Sequence, residues 1–545
     1  MAHILLINLV ERKSPDNRIL KFCYAFPIII QKLQKTHHTF DLLDLHLDKL
    51  TFAELCEQVL ASDTQIFGIS AWPLNYSEVK ELTQRIRKTK PAARIVVGGI
   101  ISGIFQVLLE RTATDIVSVA AEGEYVLPEL LDFLEKGGDT FKAVRGICYK
   151  DHRTGEIITT GSRKLMDHDA FNRQELPAYA YFDNYLHELI GNINAREDVP
   201  VKGFPSITAR GCPFPCTFCG HLYGRTFLRK NWQRFFDELA YIEERYGAQG
   251  FYSLDTNIFL NRQDVDDYCA EYARRGCSFA MVAELRLSFG DYTMYRKLYD
   301  HGVRVVVLGF ESGSQEMLDR MKKGIRLEKA KQVVRDCLCA GVMICGGLLF
   351  GTPGESHQTM KANRDYMLFI EREIEDQRRR NLPHGEMATS FVDWSLLVPT
   401  PSSELYRVAV EDGAIADEEA FAIKISSDRY KVVTKGSTFR IKLNKEGYVV
   451  NLSEFPSTWS MIYYARFIST QVKMRTSFFM YGTLAEKLGR FWPNLSKMGW
   501  NYLLYTGVTL WDRLLGHKGY VPRDKRGTAL KNRNIPVGKK GGANA

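Results

Sequence analysis

Over the first 150 residues, short apolar runs alternate with amphipathic stretches. The runs "HILLINLV" (3–10), "TFDLLDLH" (39–46), "QIFGISAW" (65–72), "ARIVVGGI" (93–100) and "DIVSVAAEG" (115–123) have strand length. Segments 76–88 and 125–134 between them repeat their apolar residues at helical spacing. Apolar strands joined by helical crossovers predict a parallel sheet covered on both faces, a doubly wound, Rossmann-like domain over 1–150. Ligands of such sheets sit beyond the carboxyl ends of the strands, which singles out the loops at 70–75, 98–102 and 122–125. Residues 144–163 read as a small hairpin turning at Arg153-Thr154-Gly155. Residues 164–204, with weak periodicity and with Pro177 and Pro200, read as a crossing between domains, so that 151–204 forms a linker with a small hairpin.

A second alternating block runs over 205–400. Its strand-like runs are "PSITAR" (205–210), "GFYSLDT" (250–256), "SFAMVAEL" (278–285), "RVVVLGFES" (304–312), "VMICGGLLFG" (342–351) and "SFVDWSLLVP" (390–399). Helical patterns over 232–246, 262–275, 291–301, 327–340 and 357–372 separate them, and the charged run 371–380 reads as a solvated helix face. Six βα units predict a partial (βα)6 barrel, whose chemistry belongs at the carboxyl ends of the strands. The region 401–545 is less regular: a short antiparallel pair in "YKVVTKG" and "TFRIKL", then aromatic-rich amphipathic helices over 459–476 and 498–515. These helices read as closing the barrel or covering a substrate, with a membrane-surface helix as the alternative. Trp459, Tyr463, Tyr464, Phe478, Phe479 and Tyr481 read as core or as the wall of an apolar channel.

Composition narrows the class. A chain of 545 residues with 45% hydrophobic and 25% charged residues is that of an ordinary globular protein of several domains. Eleven cysteines, odd in number and mostly scattered, do not form a disulfide framework, and no leader pattern is apparent, so a reducing cytoplasm is the expected location. No run approaches eighteen apolar residues. The net charge of +9 is modest, so a nucleic-acid partner is not expected. Part of it lies in a tail over 518–540, which reads as a disordered end from about 517 or as a contact with nucleic acid, an anionic lipid surface or a partner.

Three cysteines cluster in "ARGCPFPCTFC" (209–219), directly after the first strand of the second block. A zinc site wants four ligands, and a loop this short would strain to place Cys212, Cys216, Cys219 and His221 tetrahedrally. Iron–sulfur clusters are held by thiolates in such loops, and three thiolates on a four-iron cluster leave one iron open.

This Cys-x3-Cys-x2-Cys spacing, with aromatic Phe218 before the third cysteine, resembles the radical S-adenosylmethionine (SAM) superfamily. The resemblance implies a 4Fe-4S cluster on Cys212, Cys216 and Cys219 whose open iron binds SAM. Electron transfer then yields a 5′-deoxyadenosyl radical. "YSLDTNIFLN" (252–261), "AELR" (283–286), "GFESGSQEMLDRMKKG" (309–324) and "GLLFGTPGES" (347–356) are similar to later strands of its cobalamin-associated branch. They nominate Phe218, Glu284, Arg286, Glu311, Ser312, Gly351 and Pro353 as SAM contacts, with Gly354 for close backbone approach. Thr256 stands beside Asp255 where that branch often has a second acid.

"GISAWPLNYSEV" (68–79), "VVGGIISGIF" (96–105) and "AAEGEYVLPELL" (120–131) resemble that branch's cobalamin-binding domain. Carried over, they nominate Ser70, Ala71, Trp72, Gly98, Gly99, Glu122, Gly123 and Glu124 as cobalamin contacts. The chain departs from the family in having no Asp-x-His-x-x-Gly loop after strand one, where it reads Asn8-Leu9-Val10-Glu11. Ile100 and Ile101 follow Gly-Gly in place of Pro-His. Such loops also suit another nucleotide-like ligand or plain turns. The resemblance implies a cobalamin-dependent methyltransferase acting on an unactivated centre. The alternatives are a radical cyclase, oxidase or rearrangement enzyme, and a non-catalytic cofactor-binding sensor. A methylthiotransferase would carry three further cysteines in its first domain, whereas Cys23, Cys56 and Cys148 are scattered. The implied partners are an electron donor such as flavodoxin or ferredoxin and a small-molecule, lipid or peptide substrate, with peripheral membrane contact.

Overall fold

The computed structural model describes residues 1–9, 23–119, 122–137, 141–151, 153–185, 191–192, 202–221, 223–380, 391–426, 431–434, 439–442, 450–479 and 483–518. Val10, Glu11, Ala120, Ala121, Tyr481, the side chains of Phe478 and Phe479, and the basic tail beyond Lys518 lie outside the described residues.

The first sheet is built from β1 (His3–Asn8), β2 (Thr39–Asp44), β3 (Ile66–Ser70), β4 (Arg94–Gly98), β5 (Ile116–Ser118), β6 (Ile147–Lys150) and β7 (Ile157–Thr159). Their order is β2-β1-β3-β4-β5-β6-β7, the first five parallel. The winding reverses between β1 and β3, which opens a crevice at their carboxyl ends. The hairpin β6–β7 continues this sheet antiparallel to β5 instead of standing in the linker. Burial explains this: Ile147 and Tyr149 complete an apolar cluster with Val96, Ile116, Val126 and Leu130.

The second sheet begins with β8 (Gly191–Asn192) and β9 (Lys202–Ser206). The chain then leaves it as a two-stranded ribbon, β10 (Ala209–Gly211) and β11 (Phe227–Arg229). It returns for β12 (Gly250–Ser253), β13 (Ala280–Leu285), β14 (Val303–Glu311), β15 (Met343–Phe350) and β16 (Phe391–Leu396). The order β16-β15-β14-β13-β12-β9-β8, with the six longer strands parallel, is the expected partial barrel. The strand expected over 205–210 is broken by Asp255. Its buried carboxylate accepts the amides of Thr208 (3.0 Å) and Ala209 (2.7 Å) and the hydroxyls of Thr208 and Ser253 (both 2.8 Å), which turns the backbone out of the sheet.

Helix Trp232–Tyr246 illustrates how the barrel is covered. Asn231 caps its start by accepting from the amide of Arg234 (2.8 Å), and Gly247 in the left-handed region ends it. Trp232, Phe235, Phe236, Leu239, Ile242 and Tyr246 recur at helical spacing and are buried. The apolar cores of the two sheets are continuous, from Ile4 to Val472.

The C-terminal region adds Glu404–Glu411, Glu418–Ser426, a ribbon of β17 (Lys431–Thr434) and β18 (Phe439–Lys442), and two long helices, Thr458–Phe479 and Leu484–Leu514. The last helix starts well before the expected 498, because Thr483 and Glu486 form a capping box and the helix continues through Pro493. Ser457 bonds Asp512 (2.8 Å) and Asn501 bonds Thr470 (3.0 Å), so the pair is an antiparallel hairpin. Among the described residues no helix is long and apolar enough to cross a membrane.

A buried polar knot fastens the two sheets. Glu238, on the buried face of Trp232–Tyr246, accepts from Lys230 Nζ (2.5 Å) and from the hydroxyls of Tyr24 and Tyr179. Lys230 also donates to the carbonyl of Ile207 (2.7 Å). Removing one partner of a buried ion pair strands the other charge. Glu238→Ala is expected to cost about 3–5 kcal/mol, and Glu238→Gln less, read as shifts of the urea midpoint.

Candidate functional site

The cysteine loop leaves β10 through Gly211, whose φ of +81° and closeness to the carbonyl of Thr226 exclude any side chain there. The amide of Thr217 donates to the carbonyl of Met321 (3.0 Å), and its carbonyl accepts from the amide of Leu405 (3.0 Å). The loop is therefore stitched both to the segment after β14 and to the C-terminal region. Cys216 is buried, and Cys212 and Cys219 are half-buried. A hydrogen bond from Cys219 lowers the Cys216 thiol to about 5 against the cost of burial, reinforced by the charges of Lys323 and Arg286. Cys219, as the donor, is shifted upward. Arg286 Nη1 lies 3.6 Å from Cys216 Sγ, and its guanidinium stacks 3.9 Å from the Phe214 ring centre. Among the described residues, the cluster whose ligand atoms all lie within 4.8 Å of one another is His37, His38, Asp132 and Glu135.

The other nominated strand-end residues divide into two groups. Near the cysteines, Glu311 sits at a bulge in β14 with φ of +57°, a strained value for a glutamate. Its Oε1 accepts from Lys323 Nζ at 2.7 Å, and that ammonium lies 5.6 Å from the Phe218 ring centre. Burial opposes the charge on Lys323, but Glu311 and Cys216 outweigh it and raise its pKa. A side chain at Gly309 would displace the Glu311 carboxylate and the Lys323 ammonium from each other. Glu284, on β13, has Tyr252 as a hydrogen-bond donor at 3.4 Å. Burial, with help from Asp255, pushes its carboxyl up to about 7.

In the second group the side chains brace the turns. The Ser312 hydroxyl donates to Asn363 Oδ1 (2.8 Å), which also accepts from the amide of Gly313 (2.7 Å). Asn363 donates in turn to Glu355 (3.1 Å), a fully buried carboxyl that also holds the amide of Gly351. Gly351 and Gly354 have φ of +97° and +86°, with Met461 and Arg320 where a Cβ would point, and Pro353 is half-buried between them. Four buried polar atoms in these segments have no hydrogen-bond partner: Asn257 Nδ2, Arg286 Nε, His221 Nε2 and Thr352 Oγ1. Buried polar atoms are rarely left so, and these are available to a polar ligand.

The carboxyl ends of the first sheet face this mouth. Gly99, at φ of +87°, presses on the carbonyl of Ala71 and on Ser70 Oγ, so the loops after β3 and β4 are packed on each other, with Gly98 and half-buried Trp72 beside them. Gly103 abuts Pro401, and Gly220, just past the cysteines, abuts Ser402 Oγ. The turn after β16 is thus wedged between the two units. Glu122 and Glu124 are buried and engage Arg210, the residue two before Cys212, at 3.9 and 2.5 Å. Glu122 also accepts from the amide of Met166 (3.3 Å), and Gly123 opens the last helix of the domain. Sequence reading passed over Arg210, Phe214, Lys323 and Pro401. The first three lie within segments it quoted, and their basic and aromatic character beside the thiols was the available signal.

The chain sets an incomplete barrel, with three cysteines in the loop beyond β10, behind a Rossmann-like domain. Residues 206–367 match the family model of the Radical SAM superfamily. The solved structure of OxsB, a cobalamin-dependent S-adenosylmethionine radical enzyme with aqua-cobalamin and S-adenosylmethionine bound, is similar in fold. It has a TM-score of 0.62 and 15% identity, over 92% of this chain and 72% of that one. An uncharacterized methyltransferase of Pyrococcus horikoshii is 23% identical over 71% of this chain and 78% of its own length. An anaerobic magnesium-protoporphyrin IX monomethyl ester cyclase of Cereibacter sphaeroides is 22% identical over 74% of this chain, which spans 63% of that relative.

Glu284 gives a pH test of this site. With its folded pKa at about 7 against 4.5 for the ordinary group, the folded state keeps a proton that the unfolded chain loses. Stability falls as pH rises through that window. Glu284→Gln, which cannot ionise, should gain on the unsubstituted chain between pH 5 and 8 in thermal melts and show no gain below about pH 4.5.

Proposed function

We propose that the chain is a cobalamin-dependent radical SAM methyltransferase acting on an unactivated centre of a small-molecule, lipid or peptide substrate. One observation carries the reading: the three-cysteine loop and the carboxyl-end loops of the first sheet meet on either side of Pro401 and Ser402. When bound, the 4Fe-4S cluster supplies the electron that cleaves SAM to a 5′-deoxyadenosyl radical, while cobalamin supplies a methyl group.

The chain's own residues would hold and shield these groups. Cys212, Cys216 and Cys219 would carry the cluster as thiolates, with Lys323 and Arg286 offsetting their negative charge. Arg286 Nε, Asn257 and Thr352 offer free polar atoms to the amino-acid portion of SAM. Phe218, beside the Lys323 ammonium, offers a ring face to the adenine. Glu284, balanced near neutrality between its two forms, could hold or release a proton facing the barrel interior. The helices Thr458–Phe479 and Leu484–Leu514 would cover the mouth against water, which reactive intermediates require. Loops 70–72 and 98–99 support the cobalamin assignment through their place at the switch point of the first sheet. Glu122 and Glu124 are committed to Arg210, and in this reading they position the cysteine strand and leave the corrin to the glycine loops.

A second reading, a radical cyclase without methyl transfer, is favoured by the similarity to the cyclase of Cereibacter sphaeroides. Product analysis separates the two. S-adenosylhomocysteine accumulating with 5′-deoxyadenosine marks methyl transfer, and 5′-deoxyadenosine alone marks the cyclase type. Replacing all three cysteines with Ala should remove the iron–sulfur absorbance and all 5′-deoxyadenosine, and turnover by that variant would sink the assignment. Anaerobically purified protein should hold cobalt at about one per chain. Arg286→Met should slow 5′-deoxyadenosine formation roughly tenfold to a hundredfold, the loss of one charge-assisted hydrogen bond.

A further inference from the structure

The last helix, Leu484–Leu514, has two contrasting sides. One packs on the molecule. Asn501 and Asp512 bond to the helix Thr458–Phe479 and to Ser457 before it, and the Tyr505 hydroxyl meets His357 at the start of the helix that follows the Gly351–Gly354 turn. The opposite side carries Trp492, Trp500, Leu503, Leu510, Trp511 and Leu514, each more than half exposed, from 55% for Leu510 to 81% for Leu514. At 3.6 residues per turn these six fall within an arc of about 100°. Three tryptophans and three leucines in one solvent-facing stripe are far from the singly scattered apolar residues of an ordinary surface.

Charge identifies what covers this stripe. Residues 484–545 hold twelve Lys and Arg against three Asp and Glu, a net +9, which equals the net charge of the whole chain. Residues 1–483 are therefore neutral overall, and the entire excess of positive charge lies in this helix and in the sequence that follows it. Of the three acids, Asp512 is buried. A second copy of the chain would bring +9 against +9. A nucleic acid would meet the charge but not the tryptophan and leucine stripe. A bilayer with anionic headgroups satisfies both, with aromatic rings at headgroup depth and basic residues among the phosphates. No described helix could span a membrane, which leaves lying on its surface.

We infer that the helix Leu484–Leu514 seats this protein on an anionic membrane surface, with its Trp492, Trp500 and Trp511 face in the headgroup layer. The inference does not rest on the reaction proposed above. It does bear on substrate, because the same helix pair braces the turn at the barrel mouth: Met461 of Thr458–Phe479 lies against Gly351. A protein so seated holds its mouth on the body that touches the bilayer, and a membrane-resident, lipid-like substrate fits that placement.

The test uses the full chain with sedimentable vesicles of phosphatidylcholine alone or with roughly one-third phosphatidylglycerol. The protein should pellet with the anionic vesicles, stay largely in solution with the neutral ones, and be released by high salt. The combined Trp492→Ser, Trp500→Ser and Trp511→Ser variant should lose at least about tenfold in partition coefficient while keeping its circular dichroism and elution volume. Because helix substitutions can disturb folding, a second variant changes only residues beyond the helix: Lys525, Arg526, Lys531 and Arg533 to Gln. It too should lose at least about tenfold, since each basic residue near such a surface contributes severalfold. No binding to anionic vesicles, or full binding by either folded variant, overturns the inference. A dimer that the tryptophan variant dissolves, with no vesicle binding, assigns the stripe to a second copy and overturns it as well.

Discussion

The constraint on which the site depends is the burial of two cations, Lys323 and Arg286, against thiols that strand geometry brings to the barrel mouth. A buried ammonium and a buried guanidinium are expensive unless each is neutralised by a partner of opposite sign. Glu311 answers for Lys323 at 2.7 Å, at the cost of a bulge and a left-handed glutamate in β14. Cys216, favoured as thiolate, answers for Arg286, with Phe214 taking the other face of the guanidinium. Both cations thus stand beside the thiols, where they favour the thiolate form of Cys216. The glycines beside it follow from the same crowding, since Gly309 leaves room for the salt bridge.

A second network does mechanical work at a distance. Arg210 with Glu122 and Glu124, and Lys230 with Glu238, Tyr24 and Tyr179, bind the first sheet and the linker to the segments on either side of the cysteine loop. Both lie on β10–β11 or next to it, so the ribbon that presents the cysteines is clamped from its outer side. Apart from Lys230 with Glu238, these interactions cross long sequence separations, and each pairs residue types that are ordinary by themselves.

That is why they were invisible in the sequence, whereas the strands were not. Apolar runs such as "RIVVG" and "VRVVVLGFE" are written locally, and both parallel sheets follow from them. The cysteine spacing is local too. What one residue does with another two hundred positions away is not. Glu122 and Glu124 stand at a strand end in the sequence, and only the fold brings Arg210 to them. The early start of Leu484–Leu514 was hidden by Gly489, Pro493 and Gly499, which punctuate its pattern without breaking the helix. The hairpin at 147–159 was assigned to the linker because alternation cannot tell which sheet edge a hairpin will join.

Asp255 has a consequence for how the holoprotein comes into being. Its carboxylate is saturated by the backbone and hydroxyls of Thr208, Ala209 and Ser253, all protein groups. The bend that aims the cysteine loop is therefore set by the polypeptide itself. Metal does not have to nucleate this corner, as it does in a zinc finger, where chelation and folding are one event. The direction in which the chain enters the cysteine loop is thus written in three neighbouring residues and one carboxylate, with no ion among the partners of that carboxylate.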